Sequence, residues 1–199
     1  MKTKNFDIHK LVLLAILTAI VIVLQLLGAF IRFGPFSISL VLMPIVVGAA
    51  LVGPLAGAWL GLVFGAVVLA TGDANVFMPI NLFGTIFVVI IKGVVAGLLA
   101  GFGYKFFSKI NKTTGAIAAA VLCPVGNTGI FILGLFVFFF PTMREWSIGS
   151  GFDSATAFIF FGMVGVNFFI ELAINLLLCP AIIRIIQYAQ ERNSVAVAR

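Results

Sequence analysis

Charge is kept out of almost all of this chain. Its twelve basic and six acidic side chains stand mainly at the two ends and in short segments between long apolar runs. Each run approaches the ~20 residues that a helix needs to cross a bilayer. The expectation is an all-α integral membrane protein with six transmembrane helices. Composition agrees, because 63% hydrophobic residues, 9% charged residues and a mean hydropathy of +1.29 leave too little polar surface to wrap a water-soluble core. Six spans with short turns use up the 199 residues. Residues 1–199 therefore read as one membrane-embedded domain, with no room for an aqueous catalytic or nucleotide-binding unit.

The first span runs from about His9 to Phe30 and stops at Arg32, Gly34 and Pro35, where glycine and proline break the pattern. Lys2, Lys4 and Lys10 precede it like the head of a signal peptide, but no small-residue cleavage site follows, so it reads as a retained helix. The second span, Phe36 to Val52, contains Pro44 and is expected to kink there. Gly53-Pro54 turns it tightly into the third, Pro54 to Ala70. After the polar break Thr71-Gly72-Asp73-Ala74-Asn75, a fourth span is expected from Pro79 to Tyr104. The fifth covers Gly115 to Phe140, a loop follows from Pro141 to Ser154, and the sixth runs from Ala155 to Ile186.

Basic residues assign the sides. Lys2, Lys4, Lys10, Lys105, Lys109, Lys112, Arg184, Arg192 and Arg199 fall together, against only Arg32 and Arg144, which puts both termini in the cytoplasm. The net charge of +6 thus reports orientation, and no nucleic-acid partner is expected. The segments at 31–36, 71–78 and 141–154 then face outward and form a mouth. Arg32 and Asp73, both close to helix ends, are its best ligand-contacting candidates, ahead of Asn75, Arg144 and Trp146.

A few polar groups remain inside the spans. Lys92, Asn127 and Glu171 each lie near the middle of an apolar run, and Asn167, Glu171 and Asn175 share one helical face by their spacing of four. An unpaired charge in hydrocarbon costs at least ~3 kcal/mol, so these groups need partners or a ligand. Two accounts fit: a polar pocket built by three consecutive helices, or a structural Lys92–Glu171 pair with asparagines bridging helices. Asn81, in the first turn of the fourth span, is a candidate rim donor, and Gln25 stands in the outer part of the first. Phe136, Phe138, Phe139 and Phe140 read as lipid-facing or interfacial, and His9 as a boundary residue.

Small residues recur at every fourth position: Gly53, Gly57, Gly61 and Gly65 on span three, Gly93, Gly97 and Gly101 on span four, Ala15 and Ala19 on span one. Such stripes let helix backbones approach closely in lipid. For Ala15 and Ala19 an intermolecular surface is an equal alternative. Cys123 and Cys179 lack metal or redox spacing and read as buried, inert thiols.

The basic N-terminus, the Ala15-Ile-Leu-Thr-Ala19 stretch, six spans, the hairpin from Pro44-Ile-Val-Val-Gly48 to Gly53-Pro54-Leu-Ala-Gly57, and Asn81 opening span four resemble the substrate-binding S component of an energy-coupling factor (ECF) vitamin transporter, over nearly the whole chain. Within that family the chain is most similar to the pantothenate and riboflavin branches. The resemblance implies a multi-pass protein of the bacterial plasma membrane that captures a water-soluble vitamin at the outer face. It also implies delivery by docking to a transmembrane T component driven by two cytoplasmic ATPases. Ala15 and Ala19 match the family's AxxxA docking surface, and Asn81, Lys92, Asn127, Asn167 and Glu171 would line the pocket.

The residues themselves agree about energy supply, since no GxxxxGK[ST] phosphate loop is present. No catalytic role, cofactor or metal is expected in this chain. An intramembrane enzyme would need a nucleophile, base or metal set that the residues do not offer. A stand-alone, proton-coupled carrier using Glu171 and Lys92 remains the main competitor, although no inverted repeat is evident. Pantothenate, whose carboxylate suits Lys92 or Arg32 and whose hydroxyls and amide suit asparagine, is favoured over riboflavin, which calls for aromatic stacking.

Overall fold

A computed structural model describes residues 8–28, 32–33, 36–37 and 40–197. Among the described residues five helices are long and apolar enough to cross a membrane: α1 (Ile8–Gly28), α3 (Pro54–Thr71), α4 (Leu82–Phe107), α5 (Lys112–Phe138) and a last span over Ala155–Ile185. The second expected span, Phe36 to Val52, is not among them. Helix α2 occupies only Leu42–Leu51, because Phe36 and Ser37 belong instead to a two-residue ladder, β1 (Arg32–Phe33) with β2 (Phe36–Ser37), in which Arg32 faces Ser37 and Phe33 faces Phe36. Pro44 consequently lies in the first turn of α2, where a missing N–H forfeits no helical bond and forces no kink. The prolines inside helices are Pro124 in α5 and Pro180 in the last span.

The small-residue stripes join α3 to α4 as expected. A Cβ added to Gly61 would collide with the Gly93 carbonyl, and one on Gly93 with that of Gly61; Gly57 and Gly97 are related in the same way. These two antiparallel helices touch backbone to backbone, which no larger residue permits. At the end of α3 the chain turns through Gly72 with φ 79°, a left-handed cap natural to glycine.

Two further boundaries differ from expectation. Helix α4 starts at Leu82, three residues after Pro79, because Asn81 is its N-cap: the side-chain oxygen accepts from the Gly84 N–H at 2.8 Å. The segment read as a loop after Pro141 is largely helical, forming α6 (Phe140–Gly149) with proline in its first turn. The last span begins with α7 (Ala155–Ala157), widens into a π-helical segment (Phe158–Val164) and continues as α8 (Gly165–Val197).

Apolar packing falls into two clusters. The larger joins α1 to α5 around Leu42, Ile45, Leu60, Phe64 and Cys123. The second gathers Phe77, Leu135, Phe139, Met143 and Ile159 beneath α6. Phe139, 2% exposed, is a core residue and not a lipid-facing one; its ring meets Phe77 edge-on at 5.0 Å.

Candidate functional site

Between the two clusters lies a water-accessible void of about 70 Å³. Lys92 of α4, Asn127 of α5, and Asn167 and Glu171 of α8 line it together, joined by Asp73 from the turn after α3. Five of the seven residues expected at a binding site thus share one cavity. Asn81 is not among them, being engaged as the cap of α4. The backbone of Arg32 forms part of β1, while its side chain lies outside what is described. Asn75, Arg144 and Glu145 are exposed, and none of them lines this cavity.

Helical spacing accounts for the polar ridge on α8. Asn167 Nδ2 approaches Glu171 Oε1 at 3.4 Å, and Asn175 Nδ2 donates to the Glu171 carbonyl at 2.9 Å. Glu171 is 2% exposed and Asn127 5%. The amide oxygens of Asn127 and Asn167 are buried and, among the described residues, accept no hydrogen bond. An unsatisfied buried acceptor costs ~1–3 kcal/mol, so two of them on one wall describe a surface complementary to donors that come from outside.

Lys92 is partly buried, and its ammonium stands 5.2 Å from the Phe131 ring centre and 5.7 Å from that of Phe64. Two aromatic faces steady this cation, and the carboxylates of Glu171 and Asp73 act on it electrostatically. Asp73 is held in turn by Gln25 of α1, whose Nε2 donates to Asp73 Oδ2 at 2.8 Å, with the Thr71 hydroxyl at 3.4 Å from the same oxygen. Gln25, 1% exposed, therefore supports the cavity wall through Asp73.

Sequence reasoning missed the apolar half of the lining: Phe64 and Val68 of α3, Phe77, Phe131, Met163 and Phe168. No signal marked them, because in a chain with 22 phenylalanines a ring facing a cavity and a ring facing lipid look alike. Above the void, Phe77 contacts Phe131 at 5.9 Å and Trp146 of α6 at 6.1 Å, so α6 roofs the aromatic cluster. The arrangement gathers one cation, two carboxylates, several amides and aromatic walls. Among the described residues no group of histidine, cysteine or carboxylate side chains is placed to hold a metal ion.

Asn81 provides a control on this assignment. Asn81→Ala is expected to destabilise the protein by ~1 kcal/mol through loss of the cap while leaving solute affinity unchanged. Thermal unfolding in detergent and titration calorimetry measure the two effects separately.

A family model described as "ECF transporter, substrate-specific component" matches residues 9–183. Among curated proteins, the chain is 29% identical to the pantothenic acid transporter PanT of Lactococcus lactis subsp. cremoris over 96% of this chain and 99% of that one. No solved structure matches significantly. With the family match spanning the cavity and every helix that builds it, this chain belongs to the substrate-specific components of ECF transporters, multi-pass proteins of the cell membrane.

Proposed function

We propose that the chain captures pantothenate in the cavity around Lys92. The solute's carboxylate would meet the Lys92 ammonium, and its hydroxyl and amide donors would satisfy the idle oxygens of Asn127 and Asn167. Glu171 and Asp73 then orient the cation and accept further hydroxyl donors. Support comes chiefly from one observation: a cation stands in the same void as buried acceptors that no described residue satisfies. Likeness over nearly full length to a pantothenic acid transporter points the same way. The alternative, riboflavin, draws on the phenylalanine lining, yet Phe64 and Phe131 already face the Lys92 ammonium, which leaves fewer open rings for stacking.

In this reading residues 1–199 act as a single binding domain without cofactor or catalytic chemistry. Both termini lie in the cytoplasm, and the segments near residues 31–36, 71–78 and 141–154 lie outside. Transport energy comes from two ATPases coupled through a transmembrane T component. Mass spectrometry of the solute released from purified protein, followed by calorimetry, tests the substrate. One pantothenate bound per chain, with no transport in liposomes that lack ATPases, is the expected result. Transport by the chain alone would establish the stand-alone carrier instead.

Docking is proposed for the exposed face of α1 that carries Ala15 and Ala19. Replacing both by phenylalanine is expected to abolish uptake in cells and to leave pantothenate affinity of the isolated protein intact. Loss of affinity in that variant would contradict a docking role.

A further inference from the structure

At one place a single layer of side chains separates the polar cavity from the outside of the bundle. Thr128 of α5, Val164 of the π-helical segment and Phe168 of α8 line both the void that holds Lys92 and an open crevice between α5 and the last span. Thr128, 9% exposed, is the one of the three with a polar group, and its two branches meet unlike surroundings. The crevice is almost wholly apolar, and no other side chain lining it can form a hydrogen bond. A hydroxyl turned that way would carry the cost of an unpaired polar group. The methyl therefore belongs to the crevice side and the hydroxyl to the cavity, next to Asn127. Thr18, Thr71 and Thr85 each return the hydroxyl to a backbone carbonyl about one turn back; among the described residues that of Thr128 makes no hydrogen bond.

We infer that Thr128 sets the handedness of the solute that the cavity accepts. The inference rests on capture of pantothenate with its carboxylate at Lys92. Beyond the carboxylate and the amide, that solute has a stereogenic carbon bearing a hydroxyl, followed by a carbon bearing two methyl groups. A hydroxyl flanked by methyls matches a wall on which one hydroxyl is flanked by Val164 and Phe168. Thr128 precedes Phe131, the ring beside the Lys92 ammonium, by three residues, a rise of ~4.5 Å along α5, which sets it apart from the carboxylate end. Thr128 Oγ1 donates to the solute's secondary hydroxyl, that hydroxyl donates to the idle amide oxygen of Asn127, and the methyls pack on Val164 and Phe168. In the mirror form the hydroxyl and the hydrogen trade places. With the carboxylate and the methyls seated, its hydroxyl points away from Thr128 and leaves that donor and the Asn127 acceptor unmatched.

Calorimetry with (R)- and (S)-pantothenate on the full chain in detergent tests this. The unsubstituted protein is expected to favour one enantiomer by about tenfold, the worth of a net hydrogen bond. Thr128→Val keeps the shape and loses the hydroxyl, so it should lower affinity for the favoured form about tenfold and bring the ratio of the two close to one. Thr128→Ser retains the hydroxyl and should keep the ratio. Thr128→Ala makes the same comparison as the valine variant should that one fold poorly. A preference that survives loss of the hydroxyl would overturn the inference. So would an equal loss for both enantiomers, the mark of a merely structural role, or the absence of any preference in the unsubstituted protein. Failure of that protein to bind either enantiomer would instead remove pantothenate as the solute, and the handedness inference with it.

Discussion

Lys92→Met should weaken pantothenate binding by roughly 2–5 kcal/mol, about thirtyfold to several thousandfold, the usual cost of deleting one member of a buried charge pair. The loss has two parts. Methionine keeps the length and the contacts with Phe64 and Phe131 but offers no ammonium to the solute's carboxylate. It also leaves Glu171 and Asp73 facing that carboxylate without the cation that now acts on both. Glu171→Gln preserves shape and the contact with Asn167 while removing one of those negative charges. It is expected to weaken binding less, and the double variant should fall short of the sum because the two groups interact. Titration calorimetry on protein that remains monodisperse in detergent decides the matter. Unaltered affinity in both single variants would remove the pair from the site.

The second large effect is structural. Gly61→Leu or Gly97→Leu places a side chain where the facing helix presents its backbone, so α3 and α4 must separate along their whole contact. Overpacking against side chains costs ~1–3 kcal/mol; backbone cannot yield as a rotamer does, which puts the cost at or above the top of that range. For a chain of this length ~3 kcal/mol corresponds to a drop of roughly 6–12 °C in melting temperature. Gly129→Leu is the matched control, since the added side chain there enters open space, and it should melt near the unsubstituted protein. If all three variants melt alike, close approach is not what the stripe provides.

Spacing alone brought much of this into view. The step of four through Asn167, Glu171 and Asn175 survives on α8 as a side-chain contact from Asn167 to Glu171 and a bond from the Asn175 amide to the Glu171 backbone carbonyl, because a helical face is fixed by geometry once the helix forms. Lys92 and Asn127 were visible because polar groups are rare and expensive in apolar runs, and Asp73 because it stands close to a helix end in the polar break after the third span. The apolar lining was not, since hydrophobicity in a membrane chain does not separate inside from outside. Helix α6 hid behind Pro141, which reads as a stop but also suits a first turn. Asn81 looked like a rim donor because the same amide oxygen that binds a solute also caps a helix. The π-helical segment departs from the 3.6-residue period on which the reading of helices rests.

The hydrogen bond from Gln25 to Asp73 has a reach beyond its own strength. Only 22% of the most apolar stretch of α1 is buried, against 39% for α3, α4 and α5, so this helix borrows little cohesion from the bundle, and polar ties such as this one and the Trp59 Nε1 donation to Thr18 Oγ1 at 3.2 Å carry more of its position. Asp73 belongs at the same time to the wall that meets the solute. Whatever strengthens or competes with the Gln25–Asp73 bond from the cavity side must shift the freedom of α1, and by reciprocity whatever holds α1 from the lipid side must be felt inside.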